Sequence, residues 1–157
     1  MFRIFNNMPN SMLALLNSLR PSAMAEVRGG IDYPDLYGTA KFYQLQDGVA
    51  IICEFYNLPE NGSGFFGMHI HEGGDCDGDF TSAGEHFNPT GEEHPCHAGD
   101  LPPILSANGY AFAGTFTDRF RVEDIIGRTL LIHANADDFN TQPAGDSGTR
   151  IACGSIK

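Results

Sequence analysis

Apolar and aromatic residues gather in five short runs along the chain, separated by polar turn segments. The runs are YGTAKFYQL (37–45), VAIICEFYNL (49–58), FFGMHIHE (65–72), YAFAGTFTD (110–118) and RTLLIHA (128–134). Each run is rich in β-branched and aromatic residues, and segments such as QDG, PENGSG and AGDSG carry turn-forming residues between them. Strands of this length at this spacing predict an all-β, antiparallel sandwich or barrel.

The first 24 residues show a different pattern and are predicted to form an N-terminal extension to a domain spanning residues 25–157. Leucine and methionine recur there at the spacing of a short amphipathic helix, at Met12, Leu15, Leu16 and Leu19. Ala23-Met24-Ala25 has the small-x-small form of a signal cleavage site, but the preceding apolar run is short and is interrupted by Asn17. We therefore favour an uncleaved extension over a secretory signal.

Length and charge restrict the classes of function. A chain of 157 residues with 41% hydrophobic residues is long enough for one domain with a real core. Its formal net charge of −11 argues against nucleic acid or an anionic membrane surface as a partner, because both require a basic footprint. No apolar run reaches the length of a membrane span. We expect neither nucleic acid nor a membrane among its partners.

The histidines are the candidate metal-binding residues. All six fall in one pair on a strand, one loop and one strand end, at His69, His71, His86, His94, His97 and His133. A lone H-x-H pair is more often two ordinary histidines than a metal site. The alternative to a metal-binding protein is therefore a β-sandwich with incidental histidines. Six imidazoles with Asp100 are too many for one tetrahedral site. They suit two sites, nitrogen-only coordination for copper and nitrogen with carboxylate oxygen for zinc. The long loop at about 73–103 would then have to fold back over the strand pair.

Two long motifs resemble a known family. GMHIHEGGDCD (67–77) and GDSGTRIACGSI (145–156) closely resemble the signature segments of copper–zinc superoxide dismutases. The stretches around them are also similar, namely SAGEHFNP (82–89), HAGDL (97–101) and IIGRTLLIHANADD (125–138). The resemblance implies a Greek-key immunoglobulin-like β-sandwich or barrel with long metal-binding loops. It implies an oxidoreductase that disproportionates superoxide to oxygen and hydrogen peroxide by redox cycling of copper.

Carried over by position, the resemblance gives each candidate residue a role. The copper ligands would be His69, His71, His86 and His133. The zinc ligands would be His86, His94, His97 and Asp100. His86 would then bridge the two metals and would carry a proton when it leaves copper.

Four further residues match positions around the family's metal site. Asp137 would hydrogen-bond one histidine at each metal and fix the orientation of the rings. Cys76 and Cys153 would form a disulfide, and Arg150 would guide superoxide to copper because its guanidinium stays charged.

The chain departs from the family pattern in its loops. His94 and His97 are only three positions apart, so the zinc loop is shorter than usual, and Cys96 between them could be a ligand, a reactive thiol or neither. The segment between His133 and Arg150 contains no lysine. With a net charge of −11, we expect weaker electrostatic steering of superoxide than in other members.

An alternative function is a non-catalytic copper- and zinc-binding relative, a metal carrier or a structural protein. Arg150 favours the enzyme, because a carrier has no use for an arginine aimed at the metal. The motif IIGR and the loop at Gly73-Gly74 resemble dimer contacts of some members, which suggests a homodimer. We expect a cytoplasmic location, because members keep their disulfide in the cytosol, with an extracytoplasmic one as the alternative.

Overall fold

Antiparallel strands are the main regular elements of the computed structural model, which describes residues 12–157. The strands are β1 (Ala23–Gly29), β2 (Tyr37–Leu45), β3 (Gly48–Tyr56), β4 (Phe65–His71), β5 (Asp100–Leu105), β6 (Ala111–Thr117), β7 (Thr129–His133) and β8 (Arg150–Ser155). Two short α-helices, α1 (Met12–Asn17) and α2 (Val122–Ile125), and one 3-10 turn at Thr81–Ala83 complete the described elements.

The eight strands form a single sheet that nearly closes into a barrel. Their spatial order is β5-β4-β7-β8-β1-β2-β3-β6, every pair is antiparallel, and the two edge strands β5 and β6 contact each other. Strands β3 and β4, and likewise β6 and β7, follow one another in the chain without being neighbours in the sheet. These crossing connections are those of a Greek-key barrel, so the predicted fold class is confirmed.

The sequence pattern located five of the eight strands. β2 has the predicted bounds, and β3, β4, β6 and β7 match their predicted runs to within two residues at each end. The pattern missed β1, β5 and β8. The sequence of β5, DLPPIL, contains two prolines, which a central strand does not tolerate because each lacks a backbone N–H. β5 is an edge strand, where the missing donors cost less.

Part of the N-terminal segment packs on the outside of the barrel. The helix expected there is present as α1, and its Leu16 is buried against Tyr43 and Ala50 on the outer face of β2 and β3. β1 begins at Ala23, inside the segment assigned to the extension. The division into an extension and a domain stays a prediction. In residues 12–157, no helix is long and apolar enough to cross a membrane.

Strands β4 and β7 are buried on both faces, which distinguishes them from an ordinary half-exposed strand. Ile70 and Leu130 point into the main hydrophobic core of the barrel. On the opposite face His69 and His71 are buried as well, although they lie outside that core. Successive side chains of a strand alternate between faces. The histidine face of β4 is therefore an outer face that other segments of the chain cover.

A disulfide fastens one of these covering segments to the barrel. Cys76, in the loop after β4, is bonded to Cys153 of β8 across 77 residues, with the two Cα atoms 5.8 Å apart. The bond packs with Phe80, Ala83 and Leu131 in a small apolar cluster outside the main core. The predicted disulfide is confirmed, and it fixes the start of the loop against β8.

Replacing both cysteines of the disulfide by serine should lower the free energy of unfolding by about 2–5 kcal/mol, because the bond closes a long loop in the unfolded chain. Denaturant unfolding of the metal-free protein measures the change. Cys96→Ser is the matched control, because Cys96 is exposed and free and its replacement should leave the midpoint unchanged. Equal midpoints for the double variant and the control would contradict the prediction.

Candidate metal centre

The long loop after β4 folds back onto β4 through backbone hydrogen bonds. Ile70 donates from its N–H to the carbonyl of Gly99 at 2.9 Å, and its own carbonyl accepts from the N–H of Phe87 at 2.8 Å. Two residues after Ile70, Glu72 donates from its N–H to the carbonyl of Glu85 at 2.9 Å. These bonds bring the loop across the histidine face of the strand, as the sequence predicted.

Four buried imidazoles come together where this loop crosses β4 and β7. Their potential ligand atoms all lie within 4.8 Å of one another. The ring centroids of His69 and His86 are 4.1 Å apart, and those of His69 and His133 are 4.9 Å apart. The group contains His69 and His71 from β4, His86 from the loop and His133 from the end of β7. We call it the four-histidine group.

Hydrogen bonds to the backbone determine which nitrogen of two rings carries the proton. His71 donates from Nδ1 to the carbonyl of Gly84 at 2.9 Å, and His133 donates from Nδ1 to the carbonyl of Gly148 at 3.4 Å. The Nε2 atoms of these neutral rings then carry lone pairs, and they face each other at 3.3 Å. Two facing lone pairs repel unless a cation lies between them, so this geometry suits a metal ion.

Asp137 orients one ring of this group and one ring of its neighbour. Its carboxylate accepts from Nε2 of His69 at 2.7 Å and from Nε2 of His94 at 2.9 Å. Burial alone would raise the pKa of Asp137, but these bonds and the backbone N–H of Phe139 lower it to about 2. Gly145, at φ +69°, passes so close that a Cβ there would overlap Asp137 and His94. Because His69 and His94 each donate from Nε2 to Asp137, the Nδ1 atoms of both neutral rings carry no proton.

A second group, which we call the zinc-type group, lies beside the first and shares His86 with it. The carboxylate of Asp100 lies 2.7 Å from Nδ1 of His86, 3.0 Å from Nδ1 of His94 and 3.3 Å from Nδ1 of His97. All four side chains are buried. Burial raises the pKa of Asp100, but the hydrogen bond with His86 and the neighbouring histidines outweigh it and lower that pKa.

The donor sets fit copper and zinc. Four nitrogens suit copper, whereas three nitrogens with one carboxylate oxygen suit zinc. Buried polar atoms normally have partners. In the described residues, the buried ring nitrogens without a hydrogen bond are Nδ1 of His69, Nε2 of His86, Nδ1 of His94 and Nδ1 of His97. Every one of them belongs to these two groups, which is what metal ligands require.

Arg150 lies next to the four-histidine group. It pairs with His133 in the register of β7 and β8, and its guanidinium donates to the carbonyls of Phe80 and Gly84 at 2.6 Å each. The carbonyl of Gly84 also accepts from His71. One backbone carbonyl therefore fixes the guanidinium relative to a ring of the group.

Cys96 lies apart from the two groups, and several contacts around the site were not predicted from the sequence. Cys96 is exposed and is not part of the zinc-type group. The pattern gave no sign of the carbonyls of Gly84 and Gly148, because a backbone acceptor has no side-chain identity. Nor did it indicate Arg119 and Gln142, whose contacts with the loop depend on the folded arrangement of distant segments.

Fold and site together define an all-β metalloprotein with two adjacent metal groups that share one imidazole. Comparison with known proteins gives the family. The family model described as copper/zinc superoxide dismutase matches residues 36–156. A copper–zinc superoxide dismutase of Legionella pneumophila is 36% identical over 132 residues, covering 79% of this chain and 80% of the relative. One from Aquifex aeolicus, designated copper–zinc superoxide dismutase 1, is 38% identical over 139 residues, covering 76% and 79%.

The chain belongs to the copper/zinc superoxide dismutase family. This membership confirms three predictions made from the sequence: the recognised family, an oxidoreductase that acts on superoxide, and copper and zinc as cofactors. The two ligand groups found in the fold agree with those cofactors.

The metal-free protein should lose stability as the pH falls from about 6.5 toward about 3. Burial, joined by neighbouring histidines and Arg150, lowers the pKa of His71 to about 2 and that of His133 to about 3. In the unfolded chain both rings take up protons near pH 6.5. The folded state therefore binds fewer protons in this range, and its stability is complete only above about pH 6.5.

Free energies of unfolding of the metal-free protein at pH 7.5, 5.5 and 4.5 test this dependence. The His133→Gln variant is the control, because it lacks one of the two rings and should show a shallower slope. A profile that is flat down to pH 4.5 would contradict the prediction. Stabilisation by the depressed aspartate pKa values is lost only below about pH 4, so it does not affect the measurements from pH 7.5 to 4.5.

Proposed function

We propose that this protein disproportionates superoxide at a copper ion held by the four-histidine group, with zinc in the zinc-type group. The copper ligands are His69, His71, His86 and His133. The zinc ligands are His86, His94, His97 and Asp100. The observation that supports this assignment most directly is the shared His86, whose Nδ1 faces Asp100 while its Nε2 is buried without a partner on the other side.

Copper, when bound, supplies the one-electron chemistry that oxidises one superoxide to oxygen and reduces a second to hydrogen peroxide with two protons, whereas zinc stays redox-silent. His86 is suited to carry a proton at Nε2, because its Nδ1 is held on the Asp100 side. Asp137 keeps His69 and His94 in fixed orientations at the two groups.

Arg150 is the substrate-guiding residue in this proposal. Its permanent positive charge attracts an anion of the size of superoxide, and its two carbonyl contacts hold the charge beside the histidines. Hydrogen bonds from Thr81 lower the pKa of Asp79, and the charge of Arg150 lowers it further. The carboxylate of Asp79 therefore keeps a negative charge near Arg150. In a chain of net charge −11, this arrangement supports the expectation of weak long-range steering.

Metal quantification and an activity assay on one preparation test the proposal. Protein loaded with both metals should contain one copper and one zinc per chain and should disproportionate superoxide. His133→Ala should lose copper and activity while zinc remains, because His133 belongs to the four-histidine group alone. Activity in protein without copper, or loss of zinc in His133→Ala together with copper, would contradict the assignment.

Arg150→Ala should lower kcat/KM for superoxide about tenfold or more at unchanged copper content, because the anion then loses its nearest fixed positive charge. Arg150→Lys should keep part of the rate, because the charge remains without the planar geometry. Undiminished activity in Arg150→Ala would contradict the guiding role of Arg150, whereas a copper- and zinc-loaded protein without activity would favour the metal carrier considered from the sequence. A diffusion-limited rate that falls steeply with added salt would contradict weak steering.

The homodimer and the cytoplasmic location stay predictions, as does the expected absence of nucleic-acid and membrane partners. Sedimentation velocity of the metal-loaded protein tests the first of these.

A further inference from the structure

Two side chains that are not metal ligands hold the short loop that carries three of the zinc-type ligands. This loop runs from His94 to Asp100. One of its anchors comes from the segment after β6 and the other from the segment between β7 and β8. Both bind backbone atoms of the loop.

Arg119 holds the loop from the barrel side. Its Nη1 lies 2.8 Å from the carbonyl oxygen of Pro95, 3.2 Å from that of His97 and 3.4 Å from that of Asp100. A single cationic donor thus gathers three carbonyls, two of which belong to ligand residues. The neighbouring Phe120 is buried in the core and fixes the start of this side chain. Hydrogen bonds from a charged donor are stronger than those between neutral groups.

Gln142 holds the other end of the loop. Its Oε1 accepts from the backbone N–H of His94 at 2.9 Å, and its Nε2 donates to the carbonyl of the same residue at 2.6 Å. These two hydrogen bonds resemble the backbone pairing between neighbouring β-strands, and they fix the orientation of the backbone at His94. Asp137, five residues earlier, holds the ring of the same histidine. Backbone and ring of one ligand are therefore fixed by one segment.

We infer that Arg119 and Gln142 are positioning residues that set the zinc affinity of the site. The inference rests on the proposed function, because it takes the zinc-type group as the zinc site. The hydrogen bonds within the loop run between His97 and Asp100, whose backbone N–H groups donate to the side chain of Asp100 and to the carbonyl of His97. His94 is bonded instead by Gln142 and Asp137. Hydrogen-bond partners behind the ligands commonly change metal affinity about tenfold to a hundredfold when removed. The two side chains act through the backbone and touch neither metal nor substrate.

The test measures zinc dissociation constants by chelator competition, starting from metal-loaded protein. Arg119→Met and Gln142→Ala should each weaken zinc binding about tenfold to a hundredfold. Arg119→Lys should stay within about threefold of the unaltered protein, because one nitrogen makes all three contacts and an ammonium offers three donors. Matched controls are Arg121→Met, an exposed arginine paired with Glu123, and Gln46→Ala, an exposed glutamine in the turn after β2.

A second readout separates positioning from general stability. Cobalt(II) substituted for zinc reports ligand geometry through its visible absorption, which should shift in Arg119→Met and Gln142→Ala and be restored in Arg119→Lys. The inference is overturned if both variants bind zinc like the controls, or if affinity falls only in parallel with unfolding free energy while the cobalt spectrum stays unchanged. Failure of the unaltered protein to bind zinc or cobalt here would instead overturn the proposed function.

Discussion

The structure depends on one constraint: buried imidazoles whose second nitrogen is already bound elsewhere in the protein. His71 and His133 donate to backbone carbonyls, and His69 donates to Asp137, so each ring presents a bare lone pair to the same small volume. Burial keeps protons away from these nitrogens, as the depressed pKa values of all three rings show. Lone pairs gathered without protons or donors are unfavourable on their own. A cation resolves the conflict, and the surrounding segments are arranged to maintain it.

The barrel supplies the rigid part of this arrangement, and the loops supply the rest. β4 turns its apolar residues inward and its histidines outward, so the site is built on an outer face of the sheet rather than in the core. That face becomes buried only because the loop after β4 folds back over it. The disulfide from Cys76 to Cys153 and the guanidinium of Arg150 both hold the first part of this loop. One covering segment thereby adds His86 to the four-histidine group, holds the charge of Arg150 beside it and buries its imidazoles.

Sequence reasoning reached the fold class and the two groups of side chains that the fold brings together, but not the contacts that orient them. Strand periodicity is a local property of the sequence, so β2 was predicted with its observed bounds. β5 was not predicted, because its sequence contains two prolines. The six histidines carried information through their grouping, and the family resemblance then assigned them. The sequence could not identify the carbonyls of Gly84 and Gly148 as hydrogen-bond acceptors. Every residue has the same backbone carbonyl, and only the folded backbone determines its direction. The contacts of Arg119 and Gln142 could not be predicted either, because they join segments far apart in the chain.

The short zinc loop explains why such distant contacts are needed. A longer loop can hold all its ligands with its own hydrogen bonds, whereas the His94–Asp100 segment bonds His97 to Asp100 and leaves His94 to contacts from elsewhere in the chain. Ordering a ligand costs conformational entropy, and that cost is met either before the metal binds or during binding. Anchors from the barrel and from the loop between β7 and β8 restrict the segment in advance. Since Asp137 in that same loop also orients His69, a disturbance at the zinc-type group is transmitted to the four-histidine group through one carboxylate. The geometry of the His94–Asp100 segment and the orientation of His69 are thus coupled through Asp137.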